Sequence, residues 1–400
     1  MTLPLSLLAF AAFALSFFGL GVLAVSMHVR RQIPVPAAPL PPVSILKPLK
    51  GLEENLEGNL ETFFAQDYPS PFEIVFSSTD EHDPALRVAR TVAARHPERA
   101  VRFAVSDPDF GLNPKVANLR GAMRAAKYDL VLQSDANVRA RPDYLTRVVS
   151  ELEGDGGHLL SSLVVGVGED SMGASLENLQ LGAMIVPSVC FALRFFGVPC
   201  VIGKSMLFRR SELDALGGLE SVRDVLAEDY LLGRAFQAAG KKVLLSSTVA
   251  ENLNGDVSIE RFMSRHGRWL KMRAVLHVPA FIADLFANPV AFALGAVIAS
   301  AVAAIEGEFD VNMVLGAIVI VLGKTLLDRA ALRAVRGRDM GAKGMLLGPL
   351  KDLLMLGVWP YAAVSRSIEW RGVKLRMGWG TKLRPDEGSL LSRALRRASA

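Results

Sequence analysis

The chain has 400 residues, 51% of them apolar and 21% charged, with a formal net charge of +5. That length accommodates one domain of up to about 250 residues plus membrane segments, and an apolar excess concentrated at the two ends favours this over two soluble domains. Two cysteines, Cys190 and Cys200, exclude a disulfide framework, and basic residues clustered beside apolar spans point to anionic lipid rather than nucleic acid.

Leu3 to Met27 carries no charge, long enough at about 1.5 Å per residue to cross roughly 30 Å of hydrocarbon. A signal peptide is the alternative, but the basic n-region is missing and the run exceeds the usual h-region. Residues 1–28 are therefore expected to form a membrane anchor. His28, Arg30 and Arg31 follow it, which puts the next segment in the cytoplasm. Ile33 to Pro42 holds five prolines, a stiff spacer within a linker over 29–42.

Short apolar runs follow at Val43–Leu46, Phe72–Phe76, Val101–Val105 and Asp129–Gln133, with amphipathic stretches at Asn55–Phe64, Pro84–Arg95 and Lys115–Lys127. Two more strands are expected at Val201–Phe208 and Lys242–Ser246, and helices over Glu228–Gln237 and after Ser258. The alternation predicts an α/β domain over 43–277 with a doubly wound, mostly parallel sheet. Such sheets bind ligands at the carboxyl ends of their strands.

From Pro279 the chain turns apolar, and residues 278–366 are expected to form a membrane-embedded helical region. Pro279–Ala287 suits the interface, while Asn288–Ile305 and Val311–Gly323 could span as a hairpin around the acidic stretch 306–310. Five basic residues between Arg329 and Lys343 return that hairpin to the cytoplasm. Leu353–Ser365 is short and reads as re-entrant or interfacial. Residues 367–400 are expected to be a basic cytoplasmic tail.

The chemistry-bearing residues follow strands or open helices. Asp80, His82 and Asp83 follow the second run, where a carboxylate could hold a nucleotide; Asp83, just before Pro84, is the better helix cap. Asp135, with Asn137 two residues on, is the metal candidate, since magnesium or manganese needs only one or two protein carboxylates beside phosphate. A turn or cap is its plainer role. Glu228 and Asp229 open a helix, either as ordinary N-terminal charge or with Asp229 as a general base. Arg265, Arg268 and Trp269 share a helix face, so they could converge on phosphate or lie at the membrane surface.

Together these segments resemble the ceramide glucosyltransferases, within the GT-A fold glycosyltransferases. The resemblance runs from Val43 to about Arg273, through Val43–Gly51, Asn59–Phe64, Gly111–Lys115 and Ala227–Tyr230, and more weakly around Trp370 and Arg371. It implies three aspartates and an Arg-Trp box: Asp80 or Asp83 on the nucleotide, Asp135 in the metal and donor site, Asp229 as catalytic base, and Arg265, Arg268 and Trp269 closing over diphosphate and acceptor. Lys115 falls in the donor pocket by the same resemblance. Asn137 replaces any second carboxylate after Asp135.

The expected function is inverting transfer of glucose from UDP-glucose to the primary hydroxyl of ceramide, with Mg2+ or Mn2+, at the cytoplasmic face of a bacterial inner membrane. Hopanoid-directed transferases that use an N-acetylated sugar are the nearest alternative. A processive polysaccharide synthase ranks lower, because the C-terminal apolar segments offer little material for a polymer channel. A receptor or transporter is disfavoured by a polar domain of this size.

Overall fold

The computed structural model describes residues 2–306, 310–370 and 373–386. The acidic connection at 307–309, Arg371 and the end of the basic tail at 387–400 lie outside them. Helix α1 (Leu3–Val29) leads through the proline-rich segment into β1 (Val43–Pro48), α2 (Leu56–Phe64), β2 (Phe72–Ser78), α3 (Pro84–Ala94), β3 (Ala100–Val105), α4 (Pro114–Ala125), β4 (Leu130–Ser134), β5 (Val138–Arg139), α5 (Tyr144–Gly154) and β6 (Leu159–Val167). A long helix follows as α6 (Met172–Leu179), a π-helical turn (Gln180–Ile185) and α7 (Val186–Phe196). Then come β7 (Ser205–Arg209), α8 (Arg210–Ala215), α9 (Glu228–Ala238), β8 (Val243–Leu253) and α10 (Ile259–Leu276). The chain ends in α11 (Val278–Phe286), α12 (Pro289–Ala303), α13 (Val311–Arg336), α14 (Gly341–Met345), α15 (Leu347–Val364), β9 (Ser367–Trp370), β10 (Val373–Met377) and β11 (Leu383–Pro385).

The main sheet has the order β3-β2-β1-β4-β7-β6-β8-β5. Its β3-β2-β1-β4 half is parallel, while β7 runs antiparallel to both β4 and β6. Alternate residues explain the layering. Val43 and Ile45 of β1 join Leu60, Phe63 and Leu86 on one face, whereas Leu46 joins Val116, Leu119 and Phe236 on the other. With both faces covered, the central strands are buried throughout, as parallel sheets require.

Three helices among the described residues are long and apolar enough to cross a membrane: Leu3–Val29, Met172–Phe196 and Val311–Arg336. A bent pair, α11 with α12 at 50°, qualifies together. Small residues let the helices close up where Ala11, Ala293 and Ala317 meet. The hairpin strand expected to end at Gly323 continues to Arg336 and carries buried Lys324 and Asp328. Lys324 pairs with Asp328 at 2.6 Å and with Asp352 at 3.3 Å, and Lys351 pairs with Asp352 at 2.8 Å.

Three expectations need correction. The 43–277 domain contains one apolar helix of spanning length, Met172–Phe196; β6 just before it was not anticipated, and β7 starts at Ser205 rather than Val201. β9, β10 and β11 form a three-stranded antiparallel sheet rather than a tail, because Ile368, Leu375, Met377 and Leu383 turn inward onto Leu226 while Lys374, Arg376, Lys382 and Arg384 face out. That sheet grips the loop before α9: Leu226 N donates to Thr381 O at 3.0 Å and Leu383 N to Asp224 O at 2.7 Å.

Candidate active site

The parallel strands end on one edge, and β7, being antiparallel, begins there. Ser205 pairs with Ser134 in register, so the Gly203-Lys204 segment stands beside the Asp135 turn, and Asp135 N donates to Lys204 O at 3.0 Å. Asp135 thereby faces two ammonium groups. Lys115 lies 3.2 Å from its Oδ1 and Lys204 3.5 Å from its Oδ2. Burial alone would raise the Asp135 carboxyl, but Lys115 and Lys204 outweigh it and hold it below the usual carboxylate range.

Lys115 is fixed from several sides. Asn113 caps α4 by accepting from the Lys115 and Val116 amides, and the ammonium reaches Gly203 O at 2.7 Å and Glu228 Oε1 at 3.1 Å. Burial opposes that charge, yet Asp135 and Glu228 raise the Lys115 pKa above its ordinary value. Glu228 is also displaced upward, but by burial, which keeps its carboxyl above the usual range despite Lys115. Lys47 is fully buried under the same edge, donating to Ser134 Oγ and to Asp135 O with the Phe63 ring beneath it. Burial pushes it well below an ordinary lysine.

Asp229 stands at the start of α9, with Oδ2 accepting from Gly203 N at 2.6 Å and Oδ1 from Tyr230 N at 2.8 Å. A Cβ at Gly203 would meet Asp229 Oδ2 at 2.6 Å, so only glycine lets the carboxylate come this close. Gly203 therefore joins both halves of the site, its carbonyl on Lys115 and its amide on Asp229.

The two aspartates after β2 separate cleanly. Asp83 is buried and engaged as a cap, accepting from Ala85 N at 2.8 Å, Gly51 N at 3.0 Å and Ser78 Oγ at 3.1 Å. Asp80 is exposed and accepts from His82 N. The Arg-Trp box does not converge. Ser258 caps α10, as the sequence suggests, but Arg265 turns to the buried Glu177 carboxylate at 2.8 Å, and His266 shares that carboxylate at 3.0 Å. Arg268 sits over the Trp370 ring, with 5.7 Å to its centroid, and Trp269 packs edge-on to His266 on the membrane side. The expected common face splits because each neighbouring element takes a different member of it.

Glu177, Gly203 and Lys204 were missed from sequence. Lys204 is the most informative of them: it reaches Asn137 Oδ1 at 2.9 Å. Burial lowers it against the pull of Asp135, with Arg265 and Lys115 adding to the effect. Among the described residues no group of three or more metal-ligating side chains exists. What is present, the Asp135 carboxylate with the Asn137 amide oxygen nearby, fits a hard divalent cation that takes most of its shell from a diphosphate and water.

Glycosyl transferase family 21 matches residues 9–383 of this chain. Ceramide glucosyltransferase 1 of Caenorhabditis elegans is 28% identical over 359 residues, covering 88% of this chain and 75% of the relative. The ceramide glucosyltransferase of Komagataella phaffii is 30% identical over 315 residues, 64% of this chain and 61% of the relative. Among solved structures, the mannosyltransferase PcManGT from Pyrobaculum calidifontis, in complex with GDP-Man and Mn2+, superposes with a TM-score of 0.58 at 18% identity, over 91% of this chain and 99% of that one. That likeness fixes the fold.

Proposed function

The chain belongs to glycosyl transferase family 21, and from that premise we propose that it transfers glucose from UDP-glucose to the primary hydroxyl of ceramide, inverting the anomeric carbon. The observation that carries the reading is the Gly203 junction, which sets a general-base candidate, Asp229, directly beside the cationic pair on Asp135.

In this mechanism Asp80 contacts the nucleotide, while Lys115 and Lys204 flank the diphosphate beside Asp135. Asp229 takes the proton of the acceptor hydroxyl as its oxygen attacks the anomeric carbon. The bond from that carbon to the diphosphate oxygen breaks, and its electron pair leaves with UDP. A bound magnesium or manganese, held by Asp135 and the diphosphate, would add neutralising charge to the leaving group. Arg265, held on Glu177 in this structure, is assigned to join this cationic edge on rearrangement. His28 in the last turn of α1 and Arg30 and Arg31 after it, together with Arg329, Arg333 and Arg336 at the end of α13, favour a cytoplasmic catalytic face.

The test is purified protein with a panel of UDP-sugars and lipids, hopanoid included, read by mass spectrometry. Ceramide with UDP-glucose is the expected productive pair. Asp229→Ala abolishes transfer and keeps UDP binding; turnover surviving in that variant would sink the assignment of the base.

A further inference from the structure

The described residues contain a cleft on the membrane side of the site that the donor chemistry does not use. Its walls are α10, the junction of α11 and α12, α15 and the π-helical turn. Trp269, Leu356, Trp359 and Met184 make it apolar, while Gln180, Arg273, Asp284 and Asn288 bring polar groups to it. Two wall elements are irregular. The π-turn is a form concentrated at functional sites, and the 50° bend between α11 and α12 interrupts an apolar pair at its polar end. Broken backbone of this kind at membrane depth belongs where it lines a cavity.

One helix joins the cleft to the Arg-Trp box: α10 carries Arg265 onto the buried Glu177 and, one turn on, Trp269 into the cleft. Outside the cleft, exposed Ile282 and Phe286 on α11 continue the apolar surface towards Phe10 of α1. A molecule held here has its tail against the apolar helices and its head at the Arg273–Asp284 side of the cleft.

Resting on the transferase reading, we propose that this cleft binds the acceptor lipid and that the Arg273–Asp284 pair reads an amide in its headgroup. The two side chains are ion-paired with each other. Side by side they offer a fork of donors and a carboxylate acceptor, the complement of an amide's C=O and N–H. Trp359 stacks on Phe281 at 4.6 Å and donates its indole N–H to Phe281 O at 2.9 Å, which fixes the wall on which the chains lie.

Two variants of the full chain in lipid nanodiscs test this. Leu356→Trp fills the cleft and is expected to raise the acceptor KM roughly tenfold or more while the donor KM stays within about twofold. Asp284→Leu, which removes the acceptor, is expected to erase a preference for ceramide over its ester analogue, which lacks the N–H; a merely structural role would lower both rates together and leave that preference intact. A ceramide bearing a photoactivatable acyl chain is the third arm. Labelling of the Met355–Trp359 stretch in the wild type, lost in Leu356→Trp, supports the site. Labelling elsewhere, an unchanged acceptor KM, or a donor KM that moves equally would overturn it. Lipid labelled in the cleft of a protein that transfers no sugar supports the binding site and sinks the transferase reading instead.

Discussion

Replacing Gly203 by alanine tests the junction on which the site depends. The added Cβ would stand 2.6 Å from Asp229 Oδ2 and 2.8 Å from its Cβ, where ordinary contact begins near 3.4 Å. The carboxylate must therefore retreat by about 0.8 Å, and the 2.6 Å bond from the Gly203 amide breaks. A misplacement of about 1 Å costs on the order of 100-fold in rate, or about 2.7 kcal/mol of barrier. We expect kcat to fall by that factor in a UDP-release assay at saturating acceptor. Overpacking should also cost roughly 1–3 kcal/mol of stability, so the assay is run well below the unfolding transition. Gly19→Ala is the matched control, because a Cβ there meets only Leu327 Cδ1 at 3.9 Å, an ordinary contact. A Gly203→Ala enzyme with wild-type kcat would refute the claim that this contact positions the base.

Three further outcomes follow. Asp83→Ala should cost about 2 kcal/mol in thermal unfolding through its lost cap and its hold on Gly51, whereas Asp80→Ala should leave the melt unchanged and weaken UDP binding by titration; the reverse pattern would reassign the pair. Lys115→Met should lose about 3 kcal/mol by stranding the buried Glu228 carboxylate, Asp135 keeping Lys204 as its partner. Its pH dependence has a definite sign. Glu228 already sits above the usual range through burial, so its proton stabilises the fold below the unfolded value of about 4.3 and that contribution is lost as pH rises through the folded value. Denaturation midpoints should show the variant least impaired at acidic pH and progressively more impaired as the pH rises through the folded value. Finally, chelation should suppress transfer, Mn2+ should restore it, and Asp135→Asn should raise the Mn2+ concentration needed; full activity in chelator would leave Lys115 and Lys204 as the neutralising groups.

The parallel half of the sheet was legible because each strand ends in a polar turn, so that Asp80 and Asp135 announce themselves by position. Lys204 was hidden by direction. A rule that inspects residues after strands passes over the start of an antiparallel strand, yet β7 brings its beginning to the same edge. Glu177 was hidden by distance: 88 residues separate it from Arg265, and within an apolar helix one carboxylate looks like an exception rather than a partner. The C-terminal sheet was hidden by its surface, since Lys374 and Arg376 alternate with Leu375 and Met377 and the charges dominate the impression of a tail. The helix face of Arg265, Arg268 and Trp269 was correctly placed on α10, but periodicity says nothing of what approaches that face.

The buried ions of α13 and α15 bear on how the molecule is assembled. Lys324 and Asp328 neutralise each other within one turn, and Lys351 and Asp352 do so as neighbours in sequence. Helix α13, long and apolar enough to span, can thus enter the bilayer with its Lys324–Asp328 pair already cancelled, which lowers the insertion cost of an isolated ion at depth. Only the 3.3 Å contact between Lys324 and Asp352 waits for the two helices to meet. Insertion and docking become separate events, the second acting as a latch that selects the register in which α15 seats.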